Sequence, residues 1–270
     1  MNAPDWVKML GHNEADEGEP AILNVYVNPI HNKGVDHATA PRYWTKEYIK
    51  EHDLITTRIA QRYEKNQHLI AFYAFGFGTA FSEYCINGMN KNAALYKRNG
   101  MTTAKLKDAI IHFCDLYNKL FPTTHIIIWH SLEYFQGCTD GTGGAPAITP
   151  LQEWRDTEFV TQMINRFKNY GDHAISGSND LNNTEANSTE LRRMISAGGI
   201  LGHQTRAQDR INNLYLTCKL AVSEAGGNAV FLELPGYLPP RADGGGLTLL
   251  QMREIDEQFK INENRHKCKK

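Results

Sequence analysis

The sequence predicts an α/β protein, a mainly parallel sheet flanked by helices on both faces to make a three-layer sandwich. Three observations carry this expectation. Short apolar, β-branched runs recur at residues 21–27, 69–74, 125–130 and 229–234. Stretches with helical apolar spacing separate them. Parallel neighbours need a crossover of a dozen residues or more, and the intervals between these runs are long enough to hold one.

The elements follow in order. Residues 1–20 are a polar, acidic lead-in. Residues 21–27 read Ala-Ile-Leu-Asn-Val-Tyr-Val and stop at Asn28-Pro29, which predicts a buried strand. A loop rich in His, Asn and Gly follows over 30–41. A helix is expected over 44–65, then a second strand at 69–74 running into Gly76-Phe77-Gly78-Thr79. Thr102 or Thr103 can cap a helix through Phe121, where Leu106, Ala109, Ile110, Phe113, Leu116, Tyr117 and Leu120 recur at three- and four-residue steps. Pro122 ends it, and His125-Ile-Ile-Ile-Trp-His130 is the third strand. Beyond it, residues 137–150 form a glycine-rich loop and 153–170 a helix, and 173–176 are a weak strand. A polar turn (179–187), a short helix (188–197) and a long helix (205–225) lead to the strand at 229–234. A helix over 247–259 closes one domain spanning 21–260, and 261–270 form a basic tail.

Bulk properties exclude several classes. A formal net charge of −1 gives no global attraction to nucleic acid or anionic membrane. No apolar stretch reaches the roughly 18 residues of a transmembrane helix. The five cysteines show no CxxC pair, which argues against a disulfide framework and a cysteine-bound zinc. No metal site or cofactor is expected: the glycines at 141–144 lack a following Gly-Lys-Ser/Thr, and the spacing of His31, Asp36 and His37 fits no established ligand pattern. A reducing, cytoplasmic compartment is expected, with export by a route needing no signal left open.

Ligands of open parallel sheets bind beyond the carboxyl ends of the strands. Ser131 stands at such an end, directly after His130. A serine delivered there on a strand-to-helix turn can act as nucleophile, and the N–H of Leu132 can help hold an oxyanion. The run Ile128-Trp129-His130-Ser131-Leu132 resembles the strand and nucleophile elbow of the α/β-hydrolase superfamily. The Gly76-Phe77-Gly78-Thr79 segment and the strand ending at Asn28-Pro29-Ile30-His31 extend that resemblance, more narrowly, to the phospholipase-like family found in type VI secretion effectors. It covers about residues 21–136. It implies an α/β-hydrolase-like sandwich, an oxyanion loop at Asn28–Ile30, a small-molecule or lipid ester as substrate, and a paired inhibitor (immunity) protein as partner.

In a triad ordered nucleophile, acid, base, Asp180 and His203 follow Ser131, with His203 as base and Asp180 orienting it. Asp140 is a second candidate acid and His173 a second candidate base. A cysteine hydrolase would instead use Cys138 with His173. The rival is a non-catalytic binding or interaction protein. Trp129 and Glu133 favour it, because they stand where the elbow has glycines, as does Pro240, which stands where the effector family has a histidine. The aromatic run Phe72, Tyr73, Phe75, Phe77 and Phe81 reads as core, or as the wall of an acyl pocket.

Overall fold

The computed structural model describes residues 4–26, 37–69, 71–74, 89–129, 157–181, 200–205, 213–220, 222, 229–233 and 247–265. The chain divides into two compact units. The first takes in 1–68, 74–121 and 131–160, the second 69–73, 122–130 and 161–270.

In the first unit, α1 (Asp5–Lys8) and a short 3-10 turn precede β1 (Leu23–Tyr26), which pairs antiparallel with β2 (His37–Ala40). Leu23 and Val25 are fully buried while Asn24 between them is exposed, the period-two alternation of a half-buried strand. The strand expected at 21–27 is therefore present but shorter, and its partner is a hairpin-type neighbour that formed part of the expected loop. Asn92 of α3 (Met89–Arg98) satisfies the backbone of Tyr26 in both directions. Tyr26 N–H donates to Asn92 Oδ1, and Asn92 Nδ2 donates to Tyr26 O, each at 2.8 Å.

Helices α2 (Lys46–Tyr63) and α4 (Thr103–Leu120) pack on one another. Each starts at a threonine: Thr45 Oγ1 accepts from Tyr48 N–H, and Thr102 Oγ1 accepts from Lys105 N–H at 3.1 Å. Of the two caps the sequence allows for α4, the structure uses Thr102. Leu106, Ile110, Phe113 and Tyr117, at steps of four, three and four, are fully buried. The His52 ring of α2 lies 4.3 Å from the Phe113 ring, centroid to centroid. At the edge of this interface Asp53 accepts from His112 Nε2 at 2.8 and 2.9 Å. Partial burial pushes the Asp53 carboxyl up, but hydrogen bonds from His52 and His112 outweigh it and leave the carboxyl below its ordinary value.

Arg42, fully buried just ahead of α2, organises the rest of this unit. It donates to Pro20 O (2.7 Å), to Ala21 O (2.9 Å) and twice to Asn99 Oδ1 (3.1 and 2.7 Å). Asn99 in turn donates to Glu19, which also receives Arg98 Nε at 2.6 Å. Gly11 N–H donates to Glu47 at 2.6 Å. The acidic lead-in is thus pinned to the helices. Gly100 turns the chain after α3 at φ +79, where a Cβ would come within 2.5 Å of Glu14 O.

The second unit is built on a five-stranded sheet: β3 (Ala71–Tyr73), β4 (His125–Trp129), β5 (Ala174–Leu181), β6 (Ile200–Thr205) and β7 (Ala229–Glu233). All neighbours are parallel, and spatial order equals sequence order. The expected parallel α/β class is present. Helices on both faces of a sheet require the strand order to reverse. No reversal occurs among the described strands. Most of α5 (Thr157–Tyr170) belongs to this unit, with Met163 and Phe167 buried one turn apart. Helix α6 (Leu214–Lys219) is capped by Asn213 Oδ1, which accepts from Leu216 N–H at 2.9 Å. It packs against α7 (Leu249–Arg265) through Leu214, Cys218, Val222, Leu247 and Ile255.

Three local expectations change. The weak strand at 173–176 extends over eight residues. Residues 200–205, read as a glycine-containing loop entering a long helix, are β6, and the described helix begins only at Leu214. The closing helix runs on to Arg265, into what reads as a basic tail.

Two measurements test this account. Arg42→Met leaves Asn99 and two backbone carbonyls without their donor, and should cost about 3–5 kcal/mol in guanidinium unfolding. Asp53→Asn tests the α2–α4 link. A lowered folded pKa stabilises above the unfolded carboxyl value of roughly 4 and loses that effect as pH falls through the folded value. The variant should therefore melt a degree or two below the parent near pH 7, as expected for about 0.5 kcal/mol. The difference should shrink as the pH falls below the ordinary carboxyl range.

Candidate functional site at the carboxyl edge of the parallel sheet

Because the five strands of the second unit run in one direction, all their carboxyl ends meet at one edge. That is the edge where parallel α/β proteins place their ligands. Two of the sequence-derived candidates fall there. His203 lies within β6 as the register partner of Ser178 on β5 and Leu232 on β7. Asp180 lies in β5 at an irregularity: Ser178 pairs with His203 and Leu181 with Thr205, so three steps on β5 oppose two on β6. Bulges of this kind re-aim a residue and recur beside active sites. The structure thus brings Asp180 and His203 to one edge on neighbouring strands, in strand positions where a turn and an interhelical loop were expected.

His173 falls at the opposite edge. It sits in the turn that opens β5, and its carbonyl accepts from Ile126 N–H at 2.8 Å. Asn28, Ile30, His130, Ser131, Leu132, Cys138 and Asp140 lie outside the described residues.

Register orders the sheet into rows, since partners on parallel strands share a face and that face repeats every second residue. One row is Tyr73, Ile127, Ile175 and Ile200. Ile127, Ile175 and Ile200 are buried and form an apolar cluster with Ala71 and Tyr73, all of them strand residues. Two residues nearer the carboxyl edge, on the same face, come Trp129, Gly177, Gly202 and Phe231. Two residues further along β6 stands Gln204, whose register partner on β7 is Glu233; on β5 the ladder is irregular between Ser178 and Leu181. The sequence reading passed over Gly177, Gly202, Gln204 and Glu233. An isolated glycine inside a strand marks a bulge or a close approach to the backbone. That signal was present twice, but it counts only once the residues are known to lie in strands.

Other polar clusters have structural work. His52, Asp53 and His112 join α2 to α4. Glu14 accepts from Lys46 N–H and from Lys105 Nζ, each at 3.1 Å, tying the lead-in to the same two helices. Burial pushes the Cys218 thiol up to about 12, the setting of an inert core cysteine. Among the described residues no group of three or more His, Cys, Asp or Glu is arranged to hold a metal ion, and no helix is long and apolar enough to cross a membrane.

No protein-family model matches the chain, and no curated protein matches it. Among solved structures it is similar to the catalytic domain of a β-amylase from Paenibacillus polymyxa, with 12% identity and a TM-score of 0.37 over 90% of this chain. The chain spans 60% of the length of that domain, and a likeness at this level assigns neither fold nor activity. The resemblance to the α/β-hydrolase superfamily, and to the effector phospholipases within it, is corrected. No family model of that superfamily matches the chain, and among the described strands the order runs without the reversal that a sandwich of that kind needs.

Proposed function

We propose that the chain is a hydrolase of acyl esters, with its base and orienting acid at the carboxyl edge of the parallel sheet. The observation that carries this reading is the arrival of Asp180 and His203 toward that edge on the paired strands β5 and β6, Asp180 two residues beyond Ser178, the register partner of His203. An imidazole beside a carboxylate is the unit that takes a proton from a nucleophile and returns it to a leaving group. In this reading Ser131, assigned from the sequence, supplies the nucleophile. Its hydroxyl attacks the ester carbonyl, and His203 receives the proton and passes it to the departing alkoxide. The N–H of Leu132 helps hold the oxyanion, and water then releases the acyl group.

A second reading is a binding protein without chemistry. The alignment of Gly177 with Gly202 on neighbouring strands favours it, since glycines inside strands mark close approaches to the backbone.

A fluorophosphonate probe separates the two. The intact chain should label and the Ser131→Ala variant should not. Hydrolysis of p-nitrophenyl acetate should fall about a thousandfold or more in kcat for His203→Ala and for Asp180→Asn. An intact chain that is folded yet neither labels nor turns over ester removes the hydrolase reading and leaves the binding protein.

A further inference from the structure

We infer that a cleft in the first unit, at the start of α2, binds a small phosphate monoester through Lys46, Lys50 and Lys105. The inference goes beyond ester hydrolysis, since it concerns the other unit and does not involve Ser131, His203 or Asp180.

The cleft has a volume of about 670 Å³ and is lined by Asn13, Glu14, Lys46, Glu47, Lys50 and Lys105. That is the size of a small-molecule site. Every lining residue has a polar head, so the carbon in its walls comes largely from lysine and glutamate stems. The lead-in that forms one wall is fitted closely to α2. Gly11 has φ +76, and a Cβ there would collide with the Thr45 side chain.

The charges along the cleft do not cancel internally. Both carboxylates are already engaged. Glu14 accepts from Lys46 N–H and from Lys105 Nζ, and Glu47 accepts from Gly11 N–H. Lys105 Nζ also donates to Gly100 O at 3.0 Å, which fixes its position. The ammonium groups of Lys46 and Lys50, both exposed and one turn apart on α2, have no acid partner among the described residues. Two helix ends add to this positive field. Asp53, about two turns into α2, meets His112, about two and a half turns into α4, so the helices run in the same direction. Glu14 joins the first residue of α2 to the first turn of α4, so their N-termini lie side by side. Each N-terminus carries about half a positive charge from its aligned peptide dipoles.

The cation type selects the ligand class. A lysine ammonium is a compact point charge suited to phosphate, whereas a flat carboxylate is held best by the fork of an arginine. No arginine lines the cleft. A phosphate monoester carries close to two negative charges at neutral pH, which offsets the two unmatched ammonium groups. The remaining volume holds the organic body of the ester against the lysine stems.

Phosphorus NMR titration of the full chain tests this, with phenyl phosphate, butyl phosphate and glycerol phosphate as probes and with inorganic phosphate and acetate as comparisons. At least one ester should bind saturably, and more tightly than inorganic phosphate or acetate. Lys50→Met and Lys46→Met keep the aliphatic stem and remove the charge, and each should weaken that binding about fivefold. Lys97→Met, which removes a lysine of α3 that does not line the cleft, should leave it unchanged, as should Ser131→Ala. Binding that survives in Ser131→Ala while ester hydrolysis is lost separates this cleft from the proposed hydrolase site. The inference is overturned if no ester binds, if inorganic phosphate or acetate binds as tightly as every ester, if neither Lys46→Met nor Lys50→Met weakens binding, or if Lys97→Met weakens it as much as they do.

Discussion

Everything proposed for the second unit depends on one constraint, the parallel register of β4, β5, β6 and β7. A slip of one residue would exchange the faces of an entire strand. It would take Ile175 or Ile200 out of the apolar cluster and break the alignment of Gly177 with Gly202. Ile126 and Ile127, adjacent on β4 and therefore on opposite faces, are both almost wholly removed from water. A strand buried on both faces has no polar side to turn outward, which is why the run reads His-Ile-Ile-Ile-Trp without alternation. The irregularities lie between Ser178 and Leu181 on β5, near the carboxyl ends of the strands, and at Val230 near the start of β7.

The first unit is held in a different way. Its apolar core runs along α4 through Leu106, Ile110, Phe113 and Tyr117, but its connections are polar and buried. Arg42 is the centre, joining residues 20 and 21 to Asn99 while Asn99 engages Glu19. A fully buried guanidinium is tolerated because its hydrogen bonds are met by carbonyls and a carboxamide, and Glu19 lies one residue further along the network. The same network lowers the Glu19 carboxyl below its ordinary value, through hydrogen bonds from Arg98 and Asn99. A polar, acidic sequence over residues 1–20 therefore does not mean a loose segment; its charges have partners distant in sequence.

The contrast between the two units bears on function. In the first, the ionisable clusters pair off with one another, as Asp53 does with His112 and Glu14 with Lys105. In the second, the residues gathered at the carboxyl edge are of the types that handle protons and hydroxyl groups: His203, Asp180, Gln204 and Glu233. Their placement follows from strand direction alone, and a parallel sheet collects polar residues at that edge whichever loops follow.

The amino-acid sequence by itself determined the local elements that rest on short-range physics. The α4 stripe and its threonine cap, the isoleucine run of β4, the strand beginning at Ala229 and the absence of a membrane-length apolar helix among the described residues are all legible from neighbours within a few positions. Tertiary structure decided the rest. Four of the six residues 200–205 are small or polar, so local propensity reads them as loop, yet pairing on both sides with β5 and β7 makes them a central strand. Residues 23–26 look like a strand of the main sheet, yet they pair with 37–40, because an apolar run specifies burial and not a partner. The site was visible only in part for the same reason. A histidine or an acid can be read from the chain, but the meeting of Gly177 with Gly202 and of Gln204 with Glu233 spans 25 or more positions, and only the closed ladder of hydrogen bonds sets which residues stand side by side.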